Sequence, residues 1–245
     1  AADGDAQVVA AECAFAELAR TGSTTVVELG YDYEVGGDIV LTERVADIAG
    51  KMVLRCYSGP RYRTKRYGCD GDGSVFYRDY DNRGRPRFED CVDFCERFNG
   101  RYDDQLRTML APGQVDTCDA DILEATRQVA DRTGLPIQIH AGQSPNEYHR
   151  VLSTQGKTTV EYLRDTGLLG SDFIIGHGQC MTANGDMNSM SADEVAALRD
   201  SEKSIRYLPW VKARRGGAIN SIQKYQDLGI HQCIGTDTYP FDLYN

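Results

Sequence analysis

Apolar positions along the chain alternate between two rhythms. Short runs rich in Val, Ile and Leu recur at residues 24–29, 52–57, 107–111, 136–141, 172–178, 204–210 and 231–238, each too short for a helix and therefore read as a strand. Between them, apolar residues return at helical spacing. Over 119–133, Ile122, Leu123, Ala125, Val129 and Ala130 fall near one helical face, and Gly134 ends the segment. Residues 191–200 open with Ser191, followed three positions later by Glu194, which is capping-box spacing. The same rhythm predicts helices over 7–20, 151–169 and 217–228, the last stopped by Gly229.

Repeated strand–helix units imply a parallel sheet with buried strands. Seven strands, with a helix ahead of the first, predict an α/β fold: a (β/α)8 TIM-type barrel over residues 1–245, incomplete and holding strands 2–8. An open doubly wound sheet is the alternative; it commonly opens on G-x-G-x-x-G, which is absent. A barrel short of one strand has open edges, so marginal stability is expected and a homo-oligomer stays open. Residues 58–86, rich in Gly, Arg, Asp and Tyr, follow the second strand and leave the face of a barrel where active sites sit. They read equally well as a lid and as a solvated loop.

Composition narrows the partners. The formal net charge of -10 argues against general binding to nucleic acid or an anionic membrane surface. No apolar run reaches the roughly 18 residues of a membrane span. Residues 1–7 carry no basic patch leading into an apolar stretch. The eight cysteines are scattered with no C-x-x-C pair, which predicts reduced, mostly buried thiols in a cytoplasmic protein.

Two of the four histidines end strands, His140 after Pro-Ile-Gln-Ile and His177 after Asp-Phe-Ile-Ile-Gly; Asp237 ends Cys-Ile-Gly-Thr-Asp. In a parallel barrel all three lie at one end. Imidazole and carboxylate converging on one mouth is what a catalytic divalent metal needs, a few ligands and a position left for water. His149, in a helix, and His231, at the start of a strand, read as structural or solvated.

These residues carry a resemblance. Ile139-His140-Ala141-Gly142-Gln143-Ser144 with Glu147, Ile175-Gly176-His177-Gly178, Leu208-Pro209-Trp210 and Ile234-Gly235-Thr236-Asp237-Thr238 resemble the amidohydrolase superfamily. The stretch is most similar to its cytosine deaminase and s-triazine hydrolase (chlorohydrolase) branch. The resemblance implies one divalent metal, zinc or iron, with His140 and Asp237 among its ligands. It implies that His177 contacts substrate or the attacking water, and that Asp237 also accepts the water's proton. The His-x-His pair that it also implies occurs nowhere in the chain, so a segment upstream is expected to supply it and the chain to be a fragment.

Gln143 stands where deaminases of this branch carry a proton-shuttling Glu. An amide cannot shuttle protons, so Gln143 is expected to hydrogen-bond substrate. Glu147 is the nearby carboxyl that could substitute. The expected activity is hydrolysis of a non-peptide C–N or similar bond in a small, cyclic nitrogen compound by metal-activated water. The alternative is a non-catalytic small-molecule-binding barrel, or an inactive fragment of such an enzyme. Basic residues gather after two strands, Arg61, Arg63, Lys65 and Arg66, then Lys212, Arg214 and Arg215, so Arg214 and Arg215 are candidate clamps for an acidic substrate.

Overall fold

The computed structural model describes residues 4–30, 39–52, 54–80, 84–183, 189–201, 204–214 and 222–237. The chain forms two compact units, one built on Ala1–Ala111 and the other on Pro112–Arg132 and Pro136–Tyr244.

The first unit runs α1 (Gly4–Arg20), β1 (Thr25–Leu29), α2 (Ile39–Lys51), β2 (Arg55–Gly59), β3 (Arg61–Tyr62), β4 (Lys65–Cys69), β5 (Val75–Asp79), α3 (Gly84–Phe98), β6 (Leu106–Thr108), then β7 (Ala111–Pro112) at its boundary. Strands β1, β2 and β6 pair in parallel in that order, with α2 and α3 as the crossovers. Helix α2 buries Leu41, Val45, Ala46 and Ala49, and α3 buries Phe88, Cys91, Phe94, Cys95 and Phe98. Both sets follow helical spacing, so each helix lays one stripe on the core.

The sequence pattern had placed residues 58–86 as a lid or loop. Their described part holds the end of β2, then β3 and the antiparallel hairpin β4–β5, followed by the start of α3. Asp70-Gly71-Asp72-Gly73 makes the hairpin's turn. Gly73, at φ 88°, takes the left-handed backbone that such turns require, and its N–H donates to Asp70 O.

The second unit continues with α4 (Ala120–Thr133), β8 (Ile137–Ala141), α5 (Pro145–Gln155), α6 (Thr159–Asp165), β9 (Phe173–His177), α7 (Ala192–Asp200), β10 (Ser204–Tyr207), α8 (Pro209–Arg214), α9 (Ile222–Asp227) and β11 (His231–Ile234). Its sheet is parallel in the order β11-β10-β9-β8. The Arg127 guanidinium on α4 forks onto Asp172, Nη1 to Oδ1 at 2.9 Å and Nη2 to Oδ2 at 2.7 Å. The Asp172 carbonyl accepts from Ile137 N, which fixes where β8 starts against β9.

All seven expected strands are present; β2 is shifted to end two residues later than expected, β6 starts one residue earlier, and the other five are trimmed. The strand expected over 204–210 stops at Tyr207, because Pro209 opens α8. The helix expected over 151–169 is two helices. Gly156 closes α5 in the left-handed conformation, and the Thr158/Glu161 capping box restarts the chain as α6. The capping box expected at Ser191 and Glu194 forms. The part of 217–228 before α9 lies outside the described residues. None of the eight cysteines is paired, and five are buried, as expected of thiols that pack as small apolar groups.

Candidate active site

The turn after β8 is built around glycine. Gly142 sits at φ 66°, and a Cβ there would lie 2.9 Å from Met181 Sδ and 3.2 Å from Gly178 Cα. Its carbonyl accepts from Gln179 N and Cys180 N at 2.9 and 2.7 Å, and Ala141 O accepts from Gly178 N at 2.9 Å. The two turns that follow β8 and β9 are thereby joined through backbone, and their strand-end side chains are fixed relative to each other.

Glu147 braces the same turn. It is buried on α5, and its two oxygens accept from Gly142 N at 2.6 Å and Gln143 N at 3.1 Å. Burial, with the charge of Asp116 beside it, pushes its carboxyl up to about 8, against the pull of those hydrogen bonds. With both oxygens engaged by backbone, it is a brace rather than the mobile proton carrier that could stand in for a missing glutamate. Gln143 is held by its backbone on both sides, N–H to Glu147 and C=O from Gln179 Nε2 at 2.9 Å. Its partly exposed side-chain amide makes no hydrogen bond among the described residues and stays available to a ligand.

His140 and His177 come together at the ends of β8 and β9, ring centroids 5.4 Å apart and planes 37° from parallel. His140 Nδ1 lies 2.6 Å from Gly113 O. A carbonyl only accepts, so Nδ1 carries the proton and Nε2 keeps its lone pair. This is the orientation that metal-ligating histidines usually show. His177 is buried and holds φ 77°, a left-handed backbone that costs a non-glycine residue about 1–2 kcal/mol. Strain of that kind gathers at functional positions.

Asp237 lies three residues beyond β11, exposed and also left-handed at φ 70°. Among the described residues, no three His, Cys, Asp or Glu side chains group closely enough to hold a metal ion. A divalent metal is therefore matched by part of a donor set: one imidazole in the correct tautomer, with a second ring beside it.

The basic stretches are largely engaged. Arg61 Nε donates to Gly30 O at 2.8 Å, and Lys65 pairs with Asp79 at 3.3 Å. Arg214 ends α8, exposed. Arg215 lies outside the described residues. His149 is exposed on α5, and His231 opens β11, its Nδ1 3.1 Å from Ser204 Oγ.

Sequence reading missed a half-buried carboxyl in the first unit. Glu28 accepts from Ser58 Oγ at 2.9 Å, and burial pushes it up to about 7, against Ser58 and the nearby Arg61 charge. A Glu among apolar residues in a predicted strand was the available signal.

Residues 2–240 match the model of the amidohydrolase family. The 5-methylthioadenosine/S-adenosylhomocysteine deaminase 2 of Archaeoglobus fulgidus is 23% identical over 235 residues, 96% of this chain and 49% of that protein. Two solved structures, each 18% identical, share the fold. The first is a mutant of the atrazine chlorohydrolase TrzN from Arthrobacter aurescens, complexed with zinc and atraton (TM-score 0.76, covering 96% of this chain and 49% of that one). The second is an adenosine deaminase from Xanthomonas campestris with bound zinc (TM-score 0.73, covering 97% and 47%). The chain spans about half the length of each of these proteins. Its architecture is α/β of the TIM-barrel type, in agreement with the alternating strands and helices. No described helix is long and apolar enough to cross a membrane. The chain belongs to the amidohydrolase family.

Proposed function

We propose that residues 1–245 form most of one barrel domain of a metal-dependent hydrolase that cleaves a non-peptide C–N bond in a small, cyclic nitrogen compound. The pairing of His140 with His177 carries this reading, with Nδ1 of His140 committed to Gly113 O. In the proposal His140 and Asp237 are ligands of one zinc or iron ion, completed by donors beyond those described. Bound there, the metal supplies a water that ionises near neutral pH.

His177 orients that water or the substrate, and Asp237 takes up the proton. The Gln143 amide hydrogen-bonds the ring without exchanging protons. Relatives named as deaminases of 5-methylthioadenosine, S-adenosylhomocysteine and 5'-deoxyadenosine support attack at a ring carbon bearing nitrogen. A chlorohydrolase among the structural neighbours keeps another leaving group within reach of the same fold.

The test is ammonia release by the full-length protein, loaded with zinc or iron, over a panel of aminopurines, aminopyrimidines and triazines. His140→Ala and His177→Ala should each lower the rate at least a hundredfold; retained rates would defeat the assignment. A second reading, a barrel that binds without catalysis, is favoured by Gln143 together with the engagement of Glu147. It predicts ligand binding with no turnover of any panel member.

A further inference from the structure

In a parallel sheet, residues in register point to the same face. His140 is in register with Gly176, and Gly176 with Arg206. His140, Gly176 and Arg206 therefore make one row, with an imidazole and a guanidinium on either side of a residue that has no side chain. Burial along β10 alternates in agreement: Ile205 and Tyr207 are buried, whereas Ser204 and Arg206 are partly open.

The Arg206 stem rises toward the end of β11. A Cβ on Gly235 would lie 2.9 Å from Arg206 Cδ and 3.1 Å from Cγ, so only glycine leaves room for it. Gly235 is two residues before Asp237. One row deeper, in register with Ile174, Gln138 shares the face. It is 3% exposed, its Oε1 has no hydrogen-bond partner among the described residues, and its Nε2 lies 3.6 Å from where a Cβ of Gly176 would be.

Beyond the sheet ladder of its backbone, the Arg206 side chain makes no hydrogen bond, ion pair or ring contact among the described residues. A partly buried guanidinium with five unmatched donors is a poor structural element and a good receptor for a planar oxyanion. We propose that Arg206 clamps a carboxylate on the substrate, so that the ring presented to His140 and His177 is an anionic one. The clamp receives the two carboxylate oxygens on the guanidinium fork, whose stem packs on Gly235 at the end of β11, and Gly176 leaves open the span between it and His140. A ring N–H can be donated to Gln138 Oε1 beneath. This deepens the hydrolase reading by naming a substrate class and rests on that reading only for calling the ligand a substrate.

Calorimetric titration of the full-length protein tests it with two matched pairs: orotate against uracil, and hydantoin-5-acetate against hydantoin. Each pair offers one ring with and without a carboxylate. The wild-type protein should bind the carboxylate of at least one pair ten times or more tighter than its neutral partner. Arg206→Gln should remove that preference and leave Kd for the neutral ring within twofold. Arg206→Lys, which keeps the charge and loses the fork, should lose at least threefold, and it carries the test if Arg206→Gln fails to fold. No preference in the wild type, or a preference kept in Arg206→Gln, would overturn the clamp. Binding needs no turnover: a clamp without hydrolysis defeats the hydrolase reading alone, and hydrolysis of neutral rings only defeats the clamp alone.

Discussion

Five described non-glycine residues hold a positive φ, and they fall in two regions that use the same strain differently. In the first unit Tyr102, Asp103 and Asp104 form a left-handed turn ahead of β6, at φ 56°, 50° and 70°. Local packing offsets its cost. The Tyr102 ring fills the space left by Gly50, where a Cβ would come within 2.1 Å of Cδ2, and its hydroxyl donates to Asp47 at 2.8 Å. In the second unit the strain falls on His177 and Asp237, one an imidazole facing His140 and the other an exposed carboxylate. Glycine would relax both regions. In the first it would also remove local packing and pairing, the Tyr102 ring on Gly50 and the Asp104 carboxylate with Arg107; in the second it would remove the groups to which the proposed function gives the chemistry. Strain alone therefore does not mark a site, nor does strain on a carboxylate, since Asp103 and Asp104 carry it too; what sets His177 apart is the His140 ring beside it.

The largest expected effect follows directly. His177→Gly should lower turnover at least a hundredfold while holding or raising the melting temperature, because the backbone relaxes as the imidazole is lost. A variant that melts lower and stays active would reverse the comparison. Next, Gly50→Ala should destabilise the first unit by about 1–3 kcal/mol, since its Cβ must displace the Tyr102 ring. Urea midpoints measure this, and an unchanged midpoint would show that the turn does not depend on that packing.

A pH effect should be of similar size. Glu28 and Glu147 are both raised from 4.5, to about 7 and about 8, so the folded protein binds extra protons across that window. The unfolded chain binds fewer there, and stability must fall as pH rises from about 4.5 to about 8. Urea midpoints at pH 5.5 should exceed those at pH 8.5. Glu147→Gln should flatten the slope, and a slope unchanged by it would place the effect elsewhere. The smallest effect belongs to Asp103→Gly, at φ 50°, which should stabilise by about 1 kcal/mol with turnover unaltered. A loss of activity there would give the turn a role beyond structure.

Much of this was legible in the chain itself. His140 and His177 close apolar runs, so their placement at strand ends followed from period alone, and their pairing followed from the parallel order. The hairpin β4–β5 was also readable from Asp-Gly-Asp-Gly between aromatic segments, but its charge made it look like loop. Helix α2 carries its apolar stripe on Ala and Thr as much as on Leu and Val, which weakens the periodic signal, whereas the three Phe and two Cys of α3 made a readable one. What could not be read was anything set by register between strands. The tautomer of His140 depends on Gly113 O, 27 residues away. The place of Arg206 depends on a glycine in the neighbouring strand, and neither residue carries a local mark.

The central claim is that the His140–His177 pair is a metal-dependent hydrolytic site. Elemental analysis of the full-length protein and of its His140→Ala variant, both purified and dialysed alike, tests it most directly. The account predicts one zinc or iron per wild-type chain and a loss of most of it in the variant. An equal metal content in the two, or a wild-type protein that takes up none when zinc or iron is supplied, would contradict it.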